Sequence, residues 1–209
     1  MQSVPRISLA CGPADDVRTF NLKLPFLQRR IGVLVSGGLD SALLYYCLRL
    51  IENENYTVTP YTITRNDGSS THAQQVIDCV NNILNKKTQT TTIVTISEQN
   101  SELQVSAGMR VLFNTNHNIF YIGLIETLSE HAIGVPKPWT PVDSLRVNFP
   151  FKNLNKSHIV DLIYKFDITE LLNITHSCVY PTGRCNVCNR CNERQWAFTK
   201  LGLVDPGTS

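Results

Sequence analysis

The feature that most constrains this chain is a short apolar run at 31–35 that stops at Ser36-Gly37-Gly38 and passes directly into a helical pattern. A continuous apolar run of strand length suits a β-strand buried on both faces. Leu39, Ala42, Leu43, Tyr46, Cys47 and Leu50 follow at helical spacing, which predicts an amphipathic helix over 39–51. The same alternation continues downstream. Strands are expected at 56–64, 91–96 and 119–124, the second of them rich in β-branched residues, with helices at 71–84 and 99–113. A β-α-β-α order implies an α/β fold: a parallel sheet with helices on both faces, Rossmann-like in outline.

The remainder is less regular. Pro136, Pro138, Pro141 and Pro150 predict a long loop over 136–150, because proline removes a backbone donor and fixes φ. Asn155-Lys156-Ser157 then opens a helix to about Phe166, a short helix is expected at 168–172, and a last one at 193–201 is closed by Gly202. A chain of 209 residues, 42% hydrophobic, is long enough to fold on one core without disulfides. It divides into an N-terminal extension (1–30), an α/β domain (31–172) and a C-terminal cysteine segment (173–209). The net charge of +2 argues against a polybasic nucleic-acid binder. No apolar stretch approaches a membrane span, and Met1 to Leu9 lacks the apolar core of a secretory signal, so the cytoplasm is the expected compartment.

Ser36-Gly37-Gly38-Leu39-Asp40-Ser41 lies where a buried strand hands over to a helix, the place where open parallel sheets bind ligands. Paired glycines let the backbone close around a guest, and the free amides and dipole of the helix start favour an anion. Ser36 and Ser41 add hydroxyl donors. Asp40 would repel bare phosphate, so it points to magnesium or to a nucleotide carrying it. Neither a Walker A lysine nor a Gly-x-Gly-x-x-Gly pattern is present, and Ser36 lacks the setting of a hydrolase nucleophile. The structural alternative is a Gly-Gly turn with Asp40 as a helix cap.

Three of the seven cysteines, Cys11, Cys47 and Cys79, are scattered; Cys178, Cys185, Cys188 and Cys191 are clustered, with six, two and two residues between successive members. Two-residue spacers let pairs of sulfurs converge on one ion, and four thiolates close a tetrahedron. Such a site leaves no open position for substrate, so its role is structural. Zinc is the expected ion on ligand softness, with an iron–sulfur cluster as the alternative that uses the same ligands. A disulfide pairing is disfavoured in a reducing compartment.

Ser-Gly-Gly-x-Asp-Ser after a first strand resembles the pyrophosphate loop of the N-type ATP pyrophosphatases, whose fold is that of the adenine nucleotide alpha hydrolases. The Ser177-Cys178 pair, the three closely spaced cysteines, Arg194, Ala197-Phe198, Gly202 and Asp205-Pro206 resemble the C-terminus of the 7-cyano-7-deazaguanine synthase (QueC) family. Pro150 and Asn155-Lys156-Ser157-His158-Ile159-Val160 are similar to the stretch preceding it, and Tyr121-Ile122-Gly123 also matches. The resemblance implies conversion of 7-carboxy-7-deazaguanine and ammonia to the nitrile base, or its amide, through an acyl adenylate, with ATP, magnesium and structural zinc. It implies phosphate contacts from Ser36, Gly37, Gly38, Leu39, Asp40 and Ser41, catalytic roles for Asp40, Ser41 and Lys156, and zinc on the four clustered cysteines. His72 lies near a family histidine; Asn100 and Arg110 are the residues left to replace a family Arg-Asn pair, and Glu126 stands where an acidic contact to a guanine-like edge is expected. Solvated helix positions are the alternatives for His72, Lys156 and Glu126. The family's Asp and Tyr-Pro-Asp segment after the fourth strand has no counterpart; Ile125-Glu126-Thr127 stands there instead. The other readings are a relative that activates a different carboxylate, as a modification or defence enzyme, and a non-catalytic zinc-containing binding module. A homodimer is expected from the family; neither direct nucleic-acid binding nor a membrane is.

Overall fold

The computed structural model describes residues 4–26, 30–64, 69–96, 101–128, 144–180 and 183–207. The apolar run forms strand β3 (Arg30–Leu34), and α1 (Leu39–Ile51) starts where the glycines end. After it come β4 (Thr57–Ile63), α2 (Ala73–Ile83), β5 (Thr92–Val94), α3 (Ser101–Phe113) and β6 (Ile119–Tyr121). A two-residue strand β7 (Val147–Asn148) and helices α4 (Lys156–Lys165), α5 (Glu170–Ile174) and α6 (Asn189–Lys200) complete the order. The central sheet has five strands in the order β5-β4-β3-β6-β7, with every neighbouring pair parallel.

That order runs outward from β3 to β5 on one side, then returns to place β6 on the other. The reversal places β6 beside β3 and leaves a crevice beyond their carboxyl ends. The loop 36–41 sits at that crevice. Helices cover both faces, but unequally. Ile31, Val33, Val58, Ile119 and Tyr121 share a core with apolar residues of α1, α2, α4, α5 and α6. On the opposite face Tyr61, Ile63 and Phe120 pack against Met109 and Leu112 of α3. Gly32 is needed on this face, since a methyl group there would meet the Phe120 ring at 2.3 Å.

Two expectations change. Helix α1 is not amphipathic: Leu39 and every residue from Ser41 to Arg49 are buried, while Leu50, assigned to the apolar face, is 42% exposed. It packs against α2, α4, α5 and the sheet, which leaves Leu50 in its last turn as its one exposed residue. The loop expected over 136–150 ends early, in a 3-10 turn (Ser144–Arg146) and β7, whose backbone pairs with Phe120 and Tyr121; Pro136, Pro138 and Pro141 lie outside the described residues. The N-terminal extension carries a hairpin packed into the core. Strands β1 (Arg6–Cys11) and β2 (Arg18–Lys23) pair antiparallel, and Cys11, Phe20, Leu22 and Leu24 are buried in the main core. The hairpin is tied to α4 by hydrogen bonds from Gly12 N to Asp161 Oδ2 (2.7 Å) and from Lys165 Nζ to the Ala10 carbonyl (2.8 Å).

Candidate functional site

The loop is held by its own two serines. The Ser36 amide donates to Ser41 Oγ at 3.1 Å, Ser41 Oγ donates to the Gly38 carbonyl at 2.9 Å, and the Gly38 amide reaches Ser36 Oγ at 3.4 Å. Gly37 has φ of +85°, a conformation that suits glycine, and this turn lets the backbone double back before α1. Gly38 is the N-cap of α1 and has no side chain to cap it, so the first helical amides face the crevice with the positive end of the dipole. Gly123, just beyond β6, passes so close that a methyl group would lie 2.9 Å from the Asp40 carbonyl oxygen. The backbone itself thus sets the two walls of the crevice.

Lys156 enters from the start of α4. Asn155 caps that helix, accepting from the Ser157 amide at 3.0 Å, and its own amide donates to His158 Nδ1 at 3.3 Å. His158 Nε2 donates to the Asp16 carbonyl at 2.9 Å, so the hairpin fixes the helix end that carries the lysine. The ammonium lies 2.7 Å from both carboxylate oxygens of Asp40 and 3.8 Å from Glu193 Oε2 of α6. The lysine side chain is only 6% exposed, against 22% for Asp40 and 14% for Glu193. A surface helix lysine, the alternative reading, does not describe it.

The His176 amide donates to the Gly37 carbonyl at 2.9 Å, and the His176 ring stacks on His72 with centroids 4.5 Å apart and planes 5° from parallel. His72, in the 3-10 turn before α2, is thereby brought beside the loop. Both rings border a cavity of about 450 Å³ that Gln75, Asn173, Arg184 and Asn186 also line. Next to it, Arg194 is buried and fully engaged: its guanidinium donates to both oxygens of Asp205 (2.7 and 2.9 Å), to the Leu172 carbonyl and to Thr175. Arg184 adds a 2.6 Å contact to the same carboxylate. Burial alone would raise the Asp205 pKa, but the Arg194 hydrogen bonds hold it below the ordinary carboxylate value.

The four clustered cysteines converge: one ligand atom from each of Cys178, Cys185, Cys188 and Cys191 lies within 4.8 Å of all the others. Tetrahedral bonds of about 2.3 Å put sulfurs about 3.8 Å apart, so this spread fits one ion with a small contraction. Backbone amides of Tyr180 and Cys185 point at Cys178 Sγ (3.4 Å each), and that of Cys188 at Cys185 Sγ (3.3 Å), which orients sulfurs as thiolates require. The amides of Val187 and Cys188 hold the Cys185 thiol down to about 6, whereas burial pushes Cys191 up to about 12. Helix α6 begins directly after Cys188, earlier than the sequence suggests, so Cys191 is a ligand on a helix rather than on a loop.

Other residues singled out in the sequence are not gathered here. Arg110 is exposed in the last turn of α3, toward the amino ends of the strands and away from the loop. Glu126 is not on a helix; it lies exposed in an irregular segment and pairs with Arg18 of the hairpin. Asn100 lies outside the described residues. Sequence reasoning missed His176, Glu193 and Arg184, which approach the loop or its cavity only through tertiary packing.

Residues 119–202, less than half of the chain, match the model of a family described as queuosine biosynthesis protein QueC. No curated protein matches. Among solved structures, it is similar to an NMN synthetase from Francisella tularensis, at 12% identity over 82% of this chain and 77% of that one, with a TM-score of 0.48. It is also similar to a U34-tRNA thiolase, NcsA, from Methanococcus maripaludis with its 4Fe-4S cluster, at 13% identity over 87% and 69% of the respective chains and a TM-score of 0.46. No described helix is long and apolar enough to cross a membrane. The matched segment spans β6, Lys156 and all four clustered cysteines. Over residues 119–202 the chain is thus similar to the QueC family.

Proposed function

We propose that the chain activates a carboxylate by adenylation at the 36–41 loop, and that the acid is 7-carboxy-7-deazaguanine, converted with ammonia to the nitrile 7-cyano-7-deazaguanine or to its amide. The observation that carries this reading is the buried Lys156 ammonium held on Asp40 at the mouth of an amide-lined loop. A cation and a row of N–H donors that converge on one crevice suit a triphosphate better than any neutral ligand. Residues 31–172 form the ATP-handling unit and 173–209 a metal-bound cap against it.

Gly37, Gly38, Leu39 and Ser41 cradle the phosphates through backbone amides, and the hydroxyls of Ser36 and Ser41 add donors. Asp40 is the carboxylate placed to hold magnesium, which when bound offsets charge on the phosphate oxygens. A carboxylate oxygen of the acid attacks the α-phosphorus, the α–β bridge breaks, and pyrophosphate leaves. Lys156 stabilises the negative charge that develops there. Ammonia then adds to the activated carbonyl and AMP departs with loss of a proton, giving the amide. A second activation, now of the amide oxygen, lets AMP leave with its oxygen as the nitrile forms. The protein's share is positioning and charge. The cavity beside His72 and His176 is the side from which an acid reaches the loop.

Zinc is the ion that the four cysteines fit best. Soft thiolates at this spacing complete its shell, so its contribution is to hold α6 and the tail in place.

A second reading, activation of a different carboxylate, is favoured by Glu126: where the family's acidic segment is missing, the available acid is turned away to Arg18. A non-catalytic zinc module has no use for the intact loop. The readings separate when the protein is incubated with ATP, magnesium, ammonium and 7-carboxy-7-deazaguanine while AMP, pyrophosphate and product mass are followed. Nitrile or amide supports the first reading. AMP formed only with another acid supports the second, and absence of AMP with every acid supports the third.

A further inference from the structure

The loop and the cysteine segment meet at one side chain. Glu193 lies two residues after Cys191 on α6, and its carboxylate is 3.8 Å from the ammonium of Lys156, on which Asp40 also sits at 2.7 Å. The three side chains carry two negative charges and one positive, all largely withdrawn from water. In the structure as it stands Asp40 takes the lysine with both oxygens. The same carboxylate cannot keep that contact in full while it turns to a magnesium-bound phosphate.

We infer that Glu193 is a positioning residue for Lys156: when Asp40 is drawn to the nucleotide's metal, Glu193 keeps the ammonium paired and aimed at the loop. The inference rests on the adenylation reading above. A lysine 6% exposed that loses its partner leaves a buried charge uncompensated, and without a second carboxylate in reach it would swing out of the crevice. At 3.8 Å, Glu193 is within ion-pair distance of the ammonium and just outside hydrogen-bond range. It is also the link by which an ordered α6, itself held through Cys188 and Cys191, acts on the ATP site.

The sign of the effect distinguishes this role from a bystander acid. Removing a negative charge near a polyphosphate site ordinarily tightens anion binding. Loss of a positioning residue weakens it. The test is Glu193→Gln in the full chain with its metal content verified, titrated calorimetrically with a non-hydrolysable ATP analogue and magnesium. The dissociation constant is expected to rise about five- to tenfold, with melting temperature and bound metal unchanged. In a Lys156→Ala background the same change should have no weakening effect, because Glu193 acts only through the lysine. Turnover should show the loss in KM for ATP at least as much as in kcat. Equal or tighter binding by Glu193→Gln, or equal weakening in both backgrounds, overturns the inference while leaving the adenylation reading intact. If the unaltered protein binds no magnesium–ATP analogue, the reading itself fails and the inference with it.

Discussion

The phosphate loop and the cysteine segment face each other across the same crevice, yet they are ordered by different means. The loop is set by covalent neighbours and by the sheet: β3 delivers it, the buried helix α1 leaves it, and two serines lock it internally. The cysteine segment has little of this. Val179, Tyr180 and Val187 are exposed, and its convergent groups are sulfurs and the Arg194–Asp205 pair. The first site is a consequence of the fold; the second becomes one when an ion is bound. On the proposed function, a chain built this way would keep its nucleotide cradle without the metal but lose the cap that borders the cavity beside His72 and His176.

Cys191→Ser is the severest way to break that comparison. It should abolish stoichiometric metal binding and destabilise the C-terminal segment by at least about 3 kcal/mol, since the metal's binding energy is folding energy for that segment. Metal analysis with a melt followed by circular dichroism should show α6 and the tail released at a temperature where the sheet persists. A single unchanged transition would mean that the segment is held by packing alone.

Lys156→Ala comes next. AMP and pyrophosphate formation should fall about a hundredfold, while metal content stays at the unaltered level, because the change touches charge at the loop and not the thiols. Rate retained in this variant would remove the lysine from the chemistry.

Gly32→Ala sharpens the other half of the comparison. The added methyl would overlap the Phe120 ring between the sheet and α3, so a loss of about 1–3 kcal/mol is expected in the unfolding of the sheet. Bound metal should be unaffected. Coupled loss of both would show that the two regions are one cooperative unit.

The smallest effect is with pH. Burial keeps His158 below the ordinary histidine value. The folded state therefore holds it neutral where the unfolded chain takes a proton, so stability is complete above about 6.5 and declines as pH falls from there toward the lowered folded value. Melts at a series of pH values should show this slope, and His158→Gln should flatten it. An unchanged slope would assign it to other groups, for example Asp16 or Asp205, whose carboxyls are held low and whose contribution is lost only in stronger acid.

Much of this architecture is legible in the sequence because period and punctuation agree. The run ending at Ser36 and the glycines that follow mark the loop, and the cysteine spacing marks the four thiols that converge. Elements that were not legible lack such agreement. Strand β7 is two residues long and exists through pairing with β6, which no local pattern encodes. The hairpin did carry a signal, since Ile7, Leu9 and Cys11 alternate with Arg6, Ser8 and Ala10, as do Phe20 and Leu22 with their neighbours. Glu193 and His176 look like ordinary helix and loop residues; only the packing of α6 and of the 175–178 segment brings them to Lys156 and Gly37.

The central claim is that the loop directs a carboxylate onto the α-phosphorus of ATP, and isotope transfer tests it most directly. With 7-carboxy-7-deazaguanine labelled with oxygen-18 in its carboxylate, ATP, magnesium and ammonium, the account predicts AMP carrying one labelled oxygen, released together with unlabelled pyrophosphate. Unlabelled AMP, or ADP and phosphate in place of AMP and pyrophosphate, would contradict it.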